Sequence, residues 1–582
     1  MKGVFGKILN VDLAGRSTGE EELPEQIYRE YLGGKGLGAY LLVEKNPVGV
    51  DPLAPENKFI IAVGPASGFT IWGANRYGVF TKSPQTGIFS ESYSGGKAFL
   101  PISRIGYDAV ILDGACDEWS YLEIRDGEVS YHDASFLLGK DSYETEDILE
   151  ERYKGEKAAV LTIGPAGEKL VKYAYVNNDH GRSLGRTGVG AVLGSKRIKA
   201  LVFIGTKKKE AADPELLEEY RRELLKTGKE HPGTLKYHAL GTSQVVDYTT
   251  NIEAFPAEYW QKGTVPHKEK INGPGMHEEL EVKASACTYC FIACVRGSTV
   301  KNGRHKGLVL DGPEYETING FGGLNMVDDI NEILYLNDIC DRLGFDTVTA
   351  SNTTAFAIEA CRRGKIDFEI DYGDVDRIAE LLHLIGRREG IGDIFAEGVR
   401  SAAEVLGLED IAVHVKGLEP PGYDPRNLQG MGLGYAVSDR GACHLRATFY
   451  KAELSGQIDR LKSEGKAALF LEYEDRLTIY DTLILCRFFR DIIFYDELNT
   501  IVKGTLGFDM REEEFRDVSK RIALKIREFN LREGMTPEED WLPERFFTEP
   551  IGEDGHVLDR EEFRGLVDEY YRLRGYELPP GA

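Results

Sequence analysis

One short pattern that occurs twice limits the architecture of this chain more than any other feature. Ile61-Ala62-Val63-Gly64-Pro65-Ala66 recurs as Leu161-Thr162-Ile163-Gly164-Pro165-Ala166. Each copy leads into a glycine-rich segment and then an apolar run that ends in Gly. In the first copy these are Ser94-Gly95-Gly96 and Ala109 to Gly114; in the second, Gly181 through Gly190 and Ala200 to Gly205. The matched order predicts two related halves of one domain, against the alternative that two strand–turn units look alike by chance. The region reads as β-rich. Leu9, Val11 and Leu13 alternate with polar residues, and Lys58 to Val63, Asp108 to Leu112, Ala158 to Ile163 and Lys199 to Ile204 are short apolar runs bounded by Gly or Pro. Asp126-Gly127 separates two alternating segments, a strong hairpin signal.

The reading changes after Lys207 to Ala212. Asp213 is placed to cap a helix with Pro214 at its first position, and Leu216, Leu217, Tyr220, Leu224 and Leu225 follow at helical spacing. Asn331 to Leu343 predicts a helix stopped by Gly344. Glu419-Pro420-Pro421-Gly422-Tyr423-Asp424-Pro425 forbids a helix and marks a second break. The expected fold class is α+β: an N-terminal β-rich domain with an internal pseudo-two-fold repeat (1–210), then two mainly α-helical domains (211–417 and 418–582).

Charge and composition exclude several functions. A net charge of −25 repels phosphate backbones, so no nucleic-acid surface is expected. No run approaches the length of a membrane span, and Met1 to Leu13 has no signal-peptide core. With eight cysteines in 582 residues, a reducing, cytoplasmic location is expected. Glycine is in excess, 66 residues, without repeat or low-complexity character.

Three of the cysteines fall within eight residues, as Cys287-x-x-Cys290-x-x-x-Cys294. Thiolates at this spacing can wrap one corner of an inorganic centre. An iron–sulfur cluster accepts a distant fourth ligand; zinc is the alternative, although no second ligand pair follows at zinc-finger range. No dinucleotide or P-loop motif is present. Several Gly-rich turns instead carry arginine: Asn75-Arg76-Tyr77-Gly78, Gly181 to Arg186, and Asp439-Arg440-Gly441 with Arg446. Singly, each is more often a turn with a surface Arg. Together they suggest a phosphorylated ligand held at several points.

These motifs occur in a telling order. The cysteine triplet, Gly312-Pro313-Glu314-Tyr315-Glu316-Thr317, Asp341-Arg342-Leu343-Gly344-Phe345-Asp346, Gly441-Ala442-Cys443-His444 and Asp481-Thr482-Leu483-Ile484-Leu485-Cys486 run along most of the chain. The set resembles the tungsten-containing aldehyde ferredoxin oxidoreductase family. The resemblance implies one [4Fe-4S] cluster on Cys287, Cys290, Cys294 and Cys486. It also implies two pterins chelating one tungsten (or molybdenum), each held by a D-x-x-G-L-C/D motif. Asp341, Phe345 and Asp346 match the first motif, Asp481 and Leu485 the second. Further implied pterin contacts are Arg76, Tyr93, Gly95, Arg182, Ser183, Gly185 and Arg186 from the β domain, and Arg440, Gly441 and Arg446 from the last. Backbone carbonyls at Tyr93 and Ser183 would bind a Mg2+ bridging the pterin phosphates. The repeat would supply one phosphate turn per pterin.

Two departures stand out. Phe345 replaces Leu in the first motif, and Ile484 replaces Gly in the second, where a β-branched residue resists positive φ; a reshaped turn before Cys486 is therefore expected. For chemistry, the resemblance favours His444 with a Glu as the metal-adjacent acid/base pair, Glu316 narrowly ahead of Glu314. Arg76 is a second candidate, as a link between cluster and pterin. The implied reaction is oxidation of a small aldehyde, with electrons leaving to ferredoxin or an iron–sulfur partner subunit. Self-association or a hetero-complex fits the family. A benzoyl-CoA-reductase-type catalytic subunit and, less well, a non-catalytic iron–sulfur subunit are the competing readings. Lys196, Arg197, Lys199 and Lys207 to Lys209 form a basic run that reads either as a docking face for an acidic carrier or as a solvated linker.

Overall fold

The computed structural model describes residues 1–578. The first six strands, β1 (Lys7–Asp12), β2 (Ser17–Glu22), β3 (Phe59–Ala62), β4 (Tyr77–Lys82), β5 (Phe89–Ser94) and β6 (Ala109–Asp113), form one sheet. The next six, β7 (Ser120–Arg125), β8 (Glu128–Asp133), β9 (Ala159–Thr162), β10 (Val176–Asn178), β11 (Arg182–Leu184) and β12 (Ile198–Ile204), form another. Their orders are β2-β1-β6-β3-β4-β5 and β8-β7-β12-β9-β10-β11, so the second repeats the first with every strand number raised by six. Pairing sense repeats too: β1 with β6 and β7 with β12 are parallel, and the other pairs are antiparallel. The duplicated pattern is a duplicated sheet.

Strands β3, β9 and β12 are buried along their whole length, which is why they read as unbroken apolar runs, whereas the edge strands β2 and β8 face solvent. Leu9, Val11, Ile61 and Val110 of the first sheet share a core with Leu122, Leu161, Leu201 and Phe203 of the second. On the far face of the first sheet, Ile8, Ile60 and Phe80 pack with Leu477, Tyr480, Val518 and Ile522 from the last part of the chain. The Asp126-Gly127 turn has both residues at positive φ, 48° and 96°, as the hairpin requires.

Helix Pro214–Glu230 starts where expected, with the Asp213 carboxylate accepting from Leu216 N at 3.0 Å. Helix Ile330–Leu343 ends on left-handed Gly344, and helix Lys466–Leu483 ends on Ile484. The middle of the chain is not wholly helical. A three-stranded antiparallel sheet, β13 (Leu280–Ser285), β14 (Val295–Val300) and β15 (Val309–Asp311), carries the cysteine triplet on its first loop.

Each repeated Gly-Pro turn seats one of these helix ends. A Cβ on Gly164 would fall within 3.0 Å of the Leu343 and Arg342 carbonyls; one on Gly64 would meet Leu483 and Ile484 as closely. The first half therefore grips the second motif, and the second half grips the first. Gly164→Ala should cost about 1–3 kcal/mol by overpacking, read as a fall in the thermal unfolding midpoint; an unchanged midpoint would show that the helix end can move away.

Two expectations are corrected. Ile484 does not reshape its turn. At φ 64° and ψ 42° it takes the left-handed conformation that Gly344 takes at φ 83° and ψ 51°. Its side chain is buried against Gly34 and Gly64, where the missing Cβ atoms leave room. The strain, about 1–3 kcal/mol, is comparable with the ~1.5–3 kcal/mol gained by burying the side chain. The basic run is not a docking face or a solvated linker along its length. Lys196 Nζ donates to the carbonyls of Pro55 (2.7 Å) and Gly114 (3.0 Å), with its pKa pushed down to about 7 by burial. Lys199 is buried against Glu168, and Lys209 against Asp108 and the Gly64 carbonyl. Among the described residues no helix is long and apolar enough to cross a membrane.

Candidate active site and cysteine cluster

The loop between β13 and β14 brings Cys287, Cys290 and Cys294 to Cys486, and the strand-connecting segment around Gly73 ties the pieces together. Gly73 accepts from Cys486 N at 2.7 Å and donates to Tyr289 O at 2.9 Å. Asn75 and Gly96 hold Thr288. Arg76 Nη2 lies 3.3 Å from Cys486 Sγ. A Cβ on Gly95 would stand 2.6 Å from Arg76 Nη1 and 3.2 Å from Cys287 Sγ, so glycine lets the strand end approach both.

All eight cysteines are free thiols. Burial pushes the Cys290 thiol up to about 12, and the nearby charges of Cys486 and Cys287 add to it. Cys294 is also raised well above the usual thiol range, by burial, then by Glu314 and by the other three cysteines. Four thiolates this close would repel one another, so the donor set fits a cationic iron–sulfur centre that draws them together. Among the described residues no group of three or more His, Cys, Asp or Glu forms a single-ion site.

Beside Cys486 opens a cavity of about 260 Å³, lined among others by Arg76, Tyr93, Glu314, Glu316, His444, Asp481, Ile484, Leu485 and Arg487. Glu316 Oε1 is 3.5 Å from His444 Nε2, while its Oε2 accepts from Gly422 N at 2.8 Å. Glu314 turns away from His444 and accepts from Thr242 Oγ1 at 2.5 Å, near Arg182 and Arg296. Burial raises the Glu316 carboxyl to about 7, against opposing help from Gly422 N–H and Arg186. Burial, then the positive charges of Arg186, Arg440, Arg487 and Arg490, drives His444 well below its usual range, so the imidazole is neutral. His444 Nδ1 and Glu316 Oε1 have no hydrogen-bond partner. The pair can hold and pass one proton.

The other sequence-selected residues fall in two groups. Tyr93, Asp481 and Leu485 meet at the cavity, with Arg440 and Arg446 behind them. Tyr93 donates to Glu91 at 2.6 Å, and Arg446 pairs with Glu91. Arg440 Nε, Arg446 Nε and Nη2, and Arg487 Nη1 are buried donors with no partner, a set suited to an anionic ligand. Gly441, at φ 100°, packs against Leu418. The second group sits off the cavity. Arg186 donates to Asp346 (3.1 Å), Ala442 O (2.8 Å) and Glu419 O (2.6 Å), joining the first motif to the His444 turn. Arg182 is 3.3 Å from Asp311, and Ser183 pairs with Asn177 in the sheet. Gly185 faces open space where a Cβ would stand, with nothing but Ser183 Oγ within 4 Å. Asp341 is buried under Tyr175 (2.9 Å), Asn337 (2.9 Å) and Tyr143 (3.1 Å), its carboxyl raised to about 7 by burial. Phe345 packs on Tyr173, and Asp346 caps the following helix.

Several lining residues escaped the sequence reading. Arg487 directly follows Cys486, a signal that could have been used. Arg490 carried none, nor did Lys35, which lies off the cavity, buried between Glu91 and Asp439.

Known proteins match the chain in sequence and in fold. The model of the aldehyde ferredoxin oxidoreductase N-terminal domain matches residues 8–205, and that of aldehyde ferredoxin oxidoreductase domains 2 and 3 matches residues 219–581. The chain is 34% identical over 596 residues to the tungsten-containing aldehyde ferredoxin oxidoreductase of Pyrococcus furiosus, covering 99% of this chain and 97% of that protein. The enzyme of the same description from Thermococcus kodakarensis is 34% identical over 595 residues, with the same coverage. Among solved structures, the active site complex BamBC of benzoyl coenzyme A reductase with 1,5-dienoyl-CoA superposes with a TM-score of 0.84 at 25% identity, covering 99% of this chain and 95% of that one. The overall fold is thus shared with that structure, and this chain is an oxidoreductase that belongs to the aldehyde ferredoxin oxidoreductase family.

Proposed function

We propose that the protein oxidises aldehydes to carboxylic acids on a tungsten (or molybdenum) bis-pterin, with electrons leaving through one [4Fe-4S] cluster to ferredoxin or an iron–sulfur partner subunit. One observation carries this reading: the Glu316–His444 pair and Cys486 line the same cavity, with Arg76 beside the Cys486 sulfur. Cys287, Cys290, Cys294 and Cys486 would hold the cluster. Tyr93, Gly95, Arg440, Gly441, Arg446, Asp481 and Leu485 would hold one pterin; Arg182, Ser183, Gly185, Arg186, Asp341, Phe345 and Asp346 the other. The carbonyls of Tyr93 and Ser183 would hold a Mg2+. The unpartnered guanidinium donors and the open space at Gly185 favour this division.

Converting R–CHO and water to R–COO⁻ releases two electrons and three protons. The bound metal centre supplies a two-electron acceptor, and the cluster a one-electron outlet. Glu316 as carboxylate takes a proton from the adding water at Oε1. His444, kept neutral, stands 3.5 Å away to receive it or to donate toward the carbonyl oxygen.

Metal analysis of anaerobically purified protein, followed by an aldehyde panel with a viologen dye, tests the reading. Tungsten or molybdenum with aldehyde-dependent dye reduction is expected; iron without either metal would return the non-catalytic iron–sulfur reading. Metal-loaded protein inert to aldehydes but active on an aromatic CoA thioester would favour the benzoyl-CoA-reductase type. Arg76→Ala should slow electron exit, seen as slower cluster oxidation after a single turnover, while metal content holds. Loss of the metal in that variant would make Arg76 a cofactor-holding residue alone.

A further inference from the structure

The two halves of the β domain meet where the hairpins of one reach the strand ends of the other. From the β4–β5 hairpin, Ser83 Oγ donates to Thr187 O at 2.9 Å, and Ser90 Oγ lies 2.6 Å from Thr187 Oγ1. From the β10–β11 hairpin the contact is denser and runs through Asn178 and Asp179. Asn178 is fully buried. Its Oδ1 accepts from Tyr77 OH (2.9 Å) and Ser94 Oγ (2.7 Å), and its Nδ2 donates to Gly95 O (3.1 Å). Asp179 Oδ2 accepts from Lys97 N (2.6 Å), Ala98 N (3.1 Å) and Asn178 Nδ2 (2.9 Å). A Cβ on Gly96 would stand 2.1 Å from the same oxygen, so glycine is what lets the carboxylate settle there.

The tip of this second hairpin has an uncommon backbone. Asp179, His180 and Gly181 are consecutive left-handed residues, at φ 50°, 44° and 100°. Two of the three carry a Cβ, and such a run persists only where its surroundings fix it. Glu146, 1% exposed on the helix Ser142–Arg152, accepts from His180 N at 3.2 Å and from Asn177 Nδ2 at 2.9 Å. Asn177 Oδ1 in turn accepts from Gly181 N at 3.3 Å. The tip is thus braced within its own half and bonded to the other. Ser94 and Gly95 directly follow Tyr93, and Arg182 and Ser183 directly follow Gly181. One set of hydrogen bonds therefore sets the spacing between the two glycine-rich turns.

We propose that Asp179, with Asn178, is a positioning residue that clamps the two turns at one separation, so that the Tyr93 and Ser183 carbonyls serve one Mg2+ and both pterins are retained. This rests on the bis-pterin reading. Asp179 acts through the backbone of the turns, whose N–H groups take up its carboxylate. The test treats metal-loaded protein with a series of EDTA concentrations and counts the remaining Mg2+ and tungsten (or molybdenum) by mass spectrometry. In Asp179→Ala the concentration that removes half should fall by about 10- to 100-fold, the usual cost of losing a group that supports a metal ligand. Asp179→Asn keeps an oxygen for Lys97 N and Ala98 N and should retain most of the wild-type value. Gly96→Ala presses on the same carboxylate from the other turn and should act as Asp179→Ala does, so the result does not hang on one variant folding. Ser83→Ala is the comparison. It weakens the contact at the other hairpin and should lower the thermal unfolding midpoint without moving the EDTA midpoint. An Asp179→Ala or Gly96→Ala protein with the wild-type EDTA midpoint overturns the inference. So does a Ser83→Ala protein that loses metal as readily, since any packing between the halves would then suffice. Wild type purified with neither tungsten nor molybdenum refutes the bis-pterin reading, and the inference with it.

Discussion

Cys486→Ser should empty the cluster site. Iron should fall from about four atoms per chain, the visible absorption of the cluster should vanish, and aldehyde-dependent dye reduction should drop to background. Changes in groups that only support a metal ligand cost about 10- to 100-fold, so removing a direct ligand should cost more. The expectation rests on position. The Cys486 sulfur sits beside Arg76 and within charge range of Cys290 and Cys294, on a backbone tied by Gly73 to the triplet loop. Serine is nearly isosteric, so the fold should survive. Two controls sharpen the result. Cys340 is buried in the main helical core and Cys361 packs at its edge, so serine at either should leave iron content and absorption in place. A Cys486→Ser protein that keeps its iron and absorption would sink the assignment.

Glu316→Gln should lower kcat by about 10²- to 10⁴-fold, the usual worth of a positioned acid/base group, with iron and tungsten content unchanged. The pH profile carries the sharper signature. Burial lifts the carboxyl to about 7, so below that pH it is protonated and cannot accept. The wild-type rate should therefore rise with pH through about 7, and Glu316→Gln should lose that rise. His444 titrates well below its usual range, so it should add no ascending limb near neutrality. Glu314→Gln is the matched comparison. Its carboxylate is held by Thr242 and stands toward Arg182, Arg296 and Cys294 instead of His444. If Glu314→Gln proved the more damaging variant, or if Glu316→Gln kept the pH-dependent rise, the roles would have to be exchanged.

The two glutamates show where sequence reasoning runs short. They are two residues apart after one Gly-Pro turn, and a small change of backbone direction exchanges what they face. Gly422 N–H, from the second break in the chain, holds Glu316; Thr242, from the segment before the cysteine loop, holds Glu314. Neither partner is near in sequence. Ile484 is the same lesson in the backbone. Its φ preference predicts a reshaped turn, but Gly34 and Gly64 clear the space that makes the left-handed turn tolerable. Lys196 and Lys199 look like surface charge because sequence records the ammonium groups and not the carbonyls waiting for them.

What the residues determine unaided is local or periodic. The duplicated Gly-Pro-Ala pattern encodes two sheets of one topology, since apolar runs with matched turns have few ways to pair. Asp213 and Gly344 set helix ends through their own short-range hydrogen bonding and φ freedom. The cysteine triplet declares an inorganic centre by spacing alone. The tertiary structure decides what depends on distant groups arriving at one point: that Cys486 reaches the triplet, that each half-domain seats the opposite motif, and that Glu316 meets His444. Pair energies between charges and donors vary steeply with separation and burial, and those are properties of the folded chain.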